Sequence, residues 1–153
     1  MAERVRSDIA HNARVWNYWL GGKDNCLVDR EVGDRITGMY PGIREVARAD
    51  RAFLGRAVGL LARDRGVRQF LDIGTGLPTV DNTHEVAQRI APGSRIVQHR
   101  RITARGRADI ASFVAGLELL EPGIVSCARW RPDPDEEEVT AEVAQFGLVA
   151  RKP

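Results

Sequence analysis

The residues whose types and spacing point to chemistry lie in Asp72-Ile73-Gly74-Thr75-Gly76-Leu77-Pro78-Thr79. The run Gln69 to Ile73 reads as a buried parallel strand that turns sharply at its carboxyl end, with a helix from about Thr83. Open α/β sheets bind nucleotides at that edge of a strand. Gly74 and Gly76 permit a close backbone approach and positive φ. The pattern is not a phosphate loop: Gly-x-x-x-x-Gly-Lys is absent, and Thr79 stands where Gly-x-Gly-x-x-Gly would place its third glycine. A nucleoside joined to an uncharged linker suits such a turn better than a dinucleotide or a triphosphate, and S-adenosylmethionine is the common example. The loop alone fits a packing turn equally well.

Other chemistry-bearing residues are weaker candidates. His84 and Glu85 could suggest acid-base work, but on a first helical turn Glu85 more simply complements the dipole. Asn82 reads as that helix's cap. Cys26 and Cys127 match no metal or redox spacing and read as reduced thiols of a cytoplasmic protein. No metal site is expected. Arg95, Arg100, Arg101, Arg105 and Arg107 form a basic cluster, yet no aromatic residue is interleaved among them. A net charge of +2 over 153 residues also argues against a dedicated nucleic-acid binder. No run approaches about 18 apolar residues, so no membrane span is expected.

Three helices must precede the glycine loop. Ser7 is a plausible cap for a helix from Asp8 to Leu20 whose Val15, Trp16, Trp19 and Leu20 form an apolar stripe. Trp16, Tyr18 and Trp19 read as core rather than as a stacking surface. Gly21-Gly22 ends this helix, and Lys23-Asp24-Asn25 forms a polar turn. A second helix spans Asp29 to Met39, and Tyr40-Pro41-Gly42 breaks it. A third runs from Ile43 to about Arg65, burying Val46, Ala49, Phe53, Leu54, Ala57, Leu60 and Leu61, with Gly66 as its stop. After the loop come a helix to Ile90 and a strand Arg95 to Val97, an order that implies parallel pairing. Beyond lie a helix over Ala104 to Val114 and short strands at Leu117 to Leu120, Val125 to Trp130 and Phe146 to Ala150. The organisation is a single α/β domain in three parts: a helical segment 1–66, a strand-loop-helix-strand unit 67–98, and a helix with a hairpin, 99–153.

Leu20-Gly21-Gly22-Lys23-Asp24-Asn25, taken with Asp72 to Thr79, resembles the bacterial S-adenosylmethionine-dependent methyltransferases that carry Leu-Gly-Gly-Lys-Asp-Asn and Asp-Ile-Gly-x-Gly-x-Pro-Thr. The resemblance covers about Asp8 to Val97 and returns at Gly116-Leu117-Glu118-Leu119, Glu121-Pro122-Gly123 and Trp130-Arg131-Pro132-Asp133. It implies a Rossmann-like class I methyltransferase fold with S-adenosyl-L-methionine as cofactor. It also implies cofactor contacts at Gly21, Gly22, Lys23, Asp24, Asn25, Asp72, Gly74, Thr75, Gly76 and Thr79. The family's second strand ends in an acid that holds the ribose, whereas here Val97 runs into Gln98, His99 and Arg100. The middle strands of the usual sheet have no counterpart, so the fold is incomplete and the two halves meet at about Gln98 to Ile102. No catalytic residue and no methyl acceptor can be named. The shortened chain is expected to be impaired, to have its open sheet edge met either by the carboxyl hairpin in poor register or by another copy of the chain, and to self-associate through exposed sheet edges. A non-catalytic remnant of the same family is the alternative.

Overall fold

The computed structural model describes residues 6–74, 76, 77, 79, 81–99, 106–134 and 141–153. Thr75, Arg100, Arg101 and Arg105, together with the start of the expected helix at Ala104, lie outside the described residues. The element order is α1 (Asn12–Trp19), α2 (Leu27–Met39), α3 (Ile43–Arg63), β1 (Gln69–Ile73), α4 (Thr83–Ile90), β2 (Arg95–His99) and α5 (Arg107–Phe113). Four short strands follow: β3 (Glu118–Leu119), β4 (Val125–Ser126), β5 (Phe146–Gly147) and β6 (Ala150–Arg151). The architecture is thus a mix of helices and small sheets.

Helix α1 starts later than Ser7 would place it. The cap is His11, whose Nδ1 accepts from the Ala13 N–H. Its own N–H donates to Asp29 Oδ1 at 2.9 Å, so the helix begins where α2 can anchor it. Asp29 has no exposed surface and also accepts from Arg14 Nε at 2.7 Å and from the Cys26 N–H at 2.7 Å. Burial would raise the Asp29 pKa; the hydrogen bonds from Arg14, Cys26 and His11 outweigh it and hold the carboxyl below its ordinary value. Val15, Trp19 and Ala47 form the core under this corner, with Trp16, Tyr18, Val32 and Ile36 packed around it. The α1 aromatics are therefore core, as their spacing implies.

Helix α3 is the element on which every core cluster has residues. Ala47 serves the α1–α2 corner, and Val58 packs with Val86 and Ala87 of α4 over Phe70 and Ile96 of the sheet. Ala57 and Leu60 join Leu120, Trp130 and Val149. Ala49 joins Cys127 and Ala128. This explains its sequence: an apolar stripe wide enough to meet all of these parts.

Strands β1 and β2 pair in parallel, with Phe70 opposite Ile96 and Asp72 opposite Gln98. They form a two-stranded sheet to which no other described strand adds. Helices cover one face only. Phe70 and Ile96 pack against α4, while Leu71, Ile73 and Val97 are 68%, 67% and 64% exposed. The apolar run that reads as a buried strand is therefore buried on one side, a departure from the two-sided burial of parallel sheets.

The carboxyl hairpin pairs antiparallel, but in two broken ladders. Val125 faces Gly147 and Ser126 faces Phe146, while Glu118 faces Arg151 and Leu119 faces Ala150. The expected strand to Trp130 stops at Ser126, where Cys127–Arg129 turns as a 3-10 helix. That turn drives Trp130 into the core, fully buried and edge-on to Phe53, with centroids 5.4 Å apart and planes at 89°. Arg56 locks the turn by donating to the carbonyls of Cys127 and Trp130. Among the described residues the hairpin packs on α3 and does not pair with the open sheet; burying Trp130 on α3 takes precedence over edge pairing.

Candidate functional site

The glycine loop leaves the carboxyl end of β1, as the geometry of nucleotide sites requires. Gly74 has φ +87° and Gly76 φ +66°, values that side-chain-bearing residues rarely adopt. A Cβ at Gly76 would meet no atom within 4 Å, so the loop's face is open to a ligand rather than filled by packing. Asp72 sits at the sheet's end and accepts from the Thr83 hydroxyl at 2.5 Å, which fixes the carboxylate against the start of α4.

Asn82 organises the return of the loop. Its side-chain amide donates to the Thr79 carbonyl at 2.6 Å, and its Oδ1 accepts from the Thr79 N–H at 3.3 Å. Its backbone N–H donates to Glu85 Oε2 at 2.9 Å, the reciprocal arm of a capping box. This hydrogen bond is the chief reason the Glu85 carboxyl lies below its ordinary pKa. Asn82 is the helix cap, and Glu85 is structural rather than an acid-base group. The Thr79 hydroxyl is buried without a partner among the described residues, an orphaned group that a bound molecule could satisfy.

The Gly21–Asn25 turn is built around Asn17, which is 2% exposed. The Gly22 N–H donates to the Asn17 carbonyl at 2.8 Å. Asn25 Nδ2 donates both to Asn17 Oδ1 and to the Gly22 carbonyl, at 3.0 and 2.8 Å. A Cβ at Gly22 would lie 2.3 Å from Asn17 Nδ2, so packing alone requires a glycine there. Asn17 is a residue of this turn that sequence reasoning missed; its signal was a polar residue inside an apolar stripe. Lys23 and Asp24 lie on the exposed turn itself.

A groove of about 580 Å³ runs between α3 and α4. Leu20, just before Gly21, lies at its rim together with Asp81, two residues past Thr79. The turn and loop residues themselves do not line it. Among the described residues, no group of three His, Cys, Asp or Glu could hold a metal ion. No described helix is long and apolar enough to cross a membrane.

The fold is shared with solved proteins. A DUF574 family protein from Streptomyces avermitilis superimposes with a TM-score of 0.87 at 25% identity, over 98% of this chain and 100% of that one. A candidate methyltransferase from Thermobifida fusca gives a TM-score of 0.78 at 24% identity, over 94% and 95%. The family described as S-adenosyl methyltransferase matches residues 1–100 and, separately, 98–153. The chain belongs to that S-adenosyl methyltransferase family. No curated protein matches it.

Proposed function

We propose that this chain binds S-adenosyl-L-methionine weakly at the Asp72–Thr79 loop and is an impaired methyltransferase on an incomplete Rossmann-like frame. The observation that carries the reading is the pair of positive-φ glycines at the carboxyl end of a parallel strand, the second of them facing open space. The residues fit the cofactor in part. Gly74 and Gly76 would admit it against the backbone, and the Thr79 hydroxyl would gain a partner. Gly21–Asn25 would wall the site. The cofactor supplies a methyl group on a sulfonium, a good leaving group, so the chain's own contribution is chiefly to hold two reactants in line.

Two observations support impairment. Opposite Asp72, β2 carries Gln98, so a neutral amide stands where an acid would hold the ribose hydroxyls. The family match also falls into two stretches that meet at residues 98–100, beside a sheet that has two strands among the described residues. An internal deletion at that junction would account for both.

Calorimetric titration with S-adenosyl-L-methionine tests the reading. Weak, saturable binding is expected, abolished by Gly74→Val. Affinity unchanged by Gly74→Val would place the site elsewhere. Methyl transfer to a panel of small acceptors should stay at background; steady turnover would overturn the impairment.

A further inference from the structure

The groove between α3 and α4 carries a concentration of charge that the cofactor reading does not use. Arg48, Arg51, Arg56, Arg63 and Arg89 line it, in a chain whose net charge is only +2. Its floor on α3 includes Ala52, Gly55 and Gly59, which recur three or four residues apart and so share one helix face. Their small size lets a ligand lie close along the helix.

The arginines are not equally engaged. Arg89 is paired with Asp81 at 2.6 Å, and Arg56 holds the carbonyls of the 3-10 turn. Arg48 reaches Glu45 only at 3.9 Å on the surface. Arg51 donates to Asn82 Oδ1, a neutral oxygen, while its Nε is buried without a hydrogen-bond partner. Among the described residues no salt bridge involves Arg51 or Arg63. The opposing charges among the described residues are Asp81, already paired, Asp133 on the wall, and Asp50, which acts on Arg51 from the core side.

The charges are spread along the groove rather than gathered at a point. From Arg48 to Arg63 a helix rises about 22 Å. Among the described residues no aromatic side chain lines the groove, so it offers none of the stacking surfaces that single-stranded nucleic acids use. Volume, length and arginine forks together suit a short chain of anionic groups.

We propose that the α3–α4 groove is a binding site for a small, elongated polyanion, held by Arg48, Arg51 and Arg63. The test needs no cofactor. Orthophosphate, pyrophosphate and tripolyphosphate are titrated calorimetrically into the full chain at constant ionic strength. Citrate reports whether clustered carboxylates substitute, and an oligothymidylate reports on nucleic acid. Saturable 1:1 binding that tightens with phosphate chain length is expected. Arg48→Gln and Arg63→Gln, both on the exposed face, should each weaken tripolyphosphate roughly tenfold; Arg95→Gln, outside the groove, should leave it unchanged. A circular-dichroism melt confirms that each variant is folded. Tighter binding of citrate than of tripolyphosphate would replace phosphate with carboxylate as the preferred group and overturn the elongated-chain assignment. The proposal also fails if no ligand saturates, if orthophosphate binds as tightly as tripolyphosphate (an adventitious ion only), if the oligonucleotide binds tightest, or if Arg95→Gln matters as much as Arg63→Gln.

Discussion

Replacing Trp130 by Ala tests whether the carboxyl hairpin is truly docked on α3. Trp130 is fully buried among Ala57, Leu60, Leu120 and Val149 and stands edge-on to Phe53. Truncating a buried tryptophan costs about 3–5 kcal/mol in lost transfer energy and cavity. An offset applies here, because the indole N–H is buried without a hydrogen-bond partner. Removing such a group recovers about 1–3 kcal/mol. The net loss should centre on about 2 kcal/mol, equivalent to a fall in Tm of roughly 4–8 °C for a chain of this size. Trp130→Phe separates the two effects. It keeps a ring against Phe53 and removes the orphaned N–H, so its cost should stay within about 1 kcal/mol of zero. Urea unfolding followed by circular dichroism measures both variants. If Trp130→Ala unfolds at the wild-type midpoint, or if the Phe variant is the weaker of the two, the docking argument is wrong.

Asp29→Ala should cost roughly 3 kcal/mol, read from the urea midpoint, because it removes the charge partner of the largely buried Arg14 and the acceptor of two backbone N–H groups. Burial pushes the Asp50 carboxyl up to about 6, against the opposing pull of Arg51. A raised acid favours the folded state while protonated, so its stabilising contribution is full below about pH 4 and fades as pH rises through about 6. Asp50→Asn should flatten that part of the stability profile in denaturation runs between pH 4 and 7. Leu71→Lys with Val97→Lys should reduce self-association in sedimentation velocity, since both side chains lie on the uncovered sheet face; an unchanged mass distribution would show that association runs through another surface.

Much of the path to the loop was legible because it rests on local signals. The break at Tyr40-Pro41-Gly42, the apolar residues of α3 and the Gln69–Ile73 run lead to helix, helix and strand with bounds within a few residues of those observed. Parallel pairing followed from the strand-helix-strand order. What the sequence did not disclose was tertiary. The start of α1 depends on Asp29, eighteen residues after the cap it receives. The strand at Val125 ends early because Trp130 has a cavity to fill on α3. The arginines of the groove belong to no motif, and the placement of α4 beside them makes the concave site. Conversely, the apolar Phe70, Leu71 and Ile73 of the strand said nothing of which face would remain bare. Gly22 was legible as a motif residue, yet its contact with Asn17 gives it a packing role that the motif conceals.

The position of α3 has a bearing on how the molecule opens. The α1–α2 corner, the sheet with α4, and the carboxyl hairpin each have core residues on this helix, and no core cluster joins any two of those parts without it. Such an arrangement behaves like spokes on a hub. Each spoke can detach at the cost of its own interface while the others stay seated, so local openings should come well below the global unfolding energy. Amide exchange would then sort into separate tiers by spoke, with the slowest protons on α3 itself. Loss of α3 would dissolve all of them at once, which makes this helix the single cooperative link in a chain otherwise assembled from separable parts.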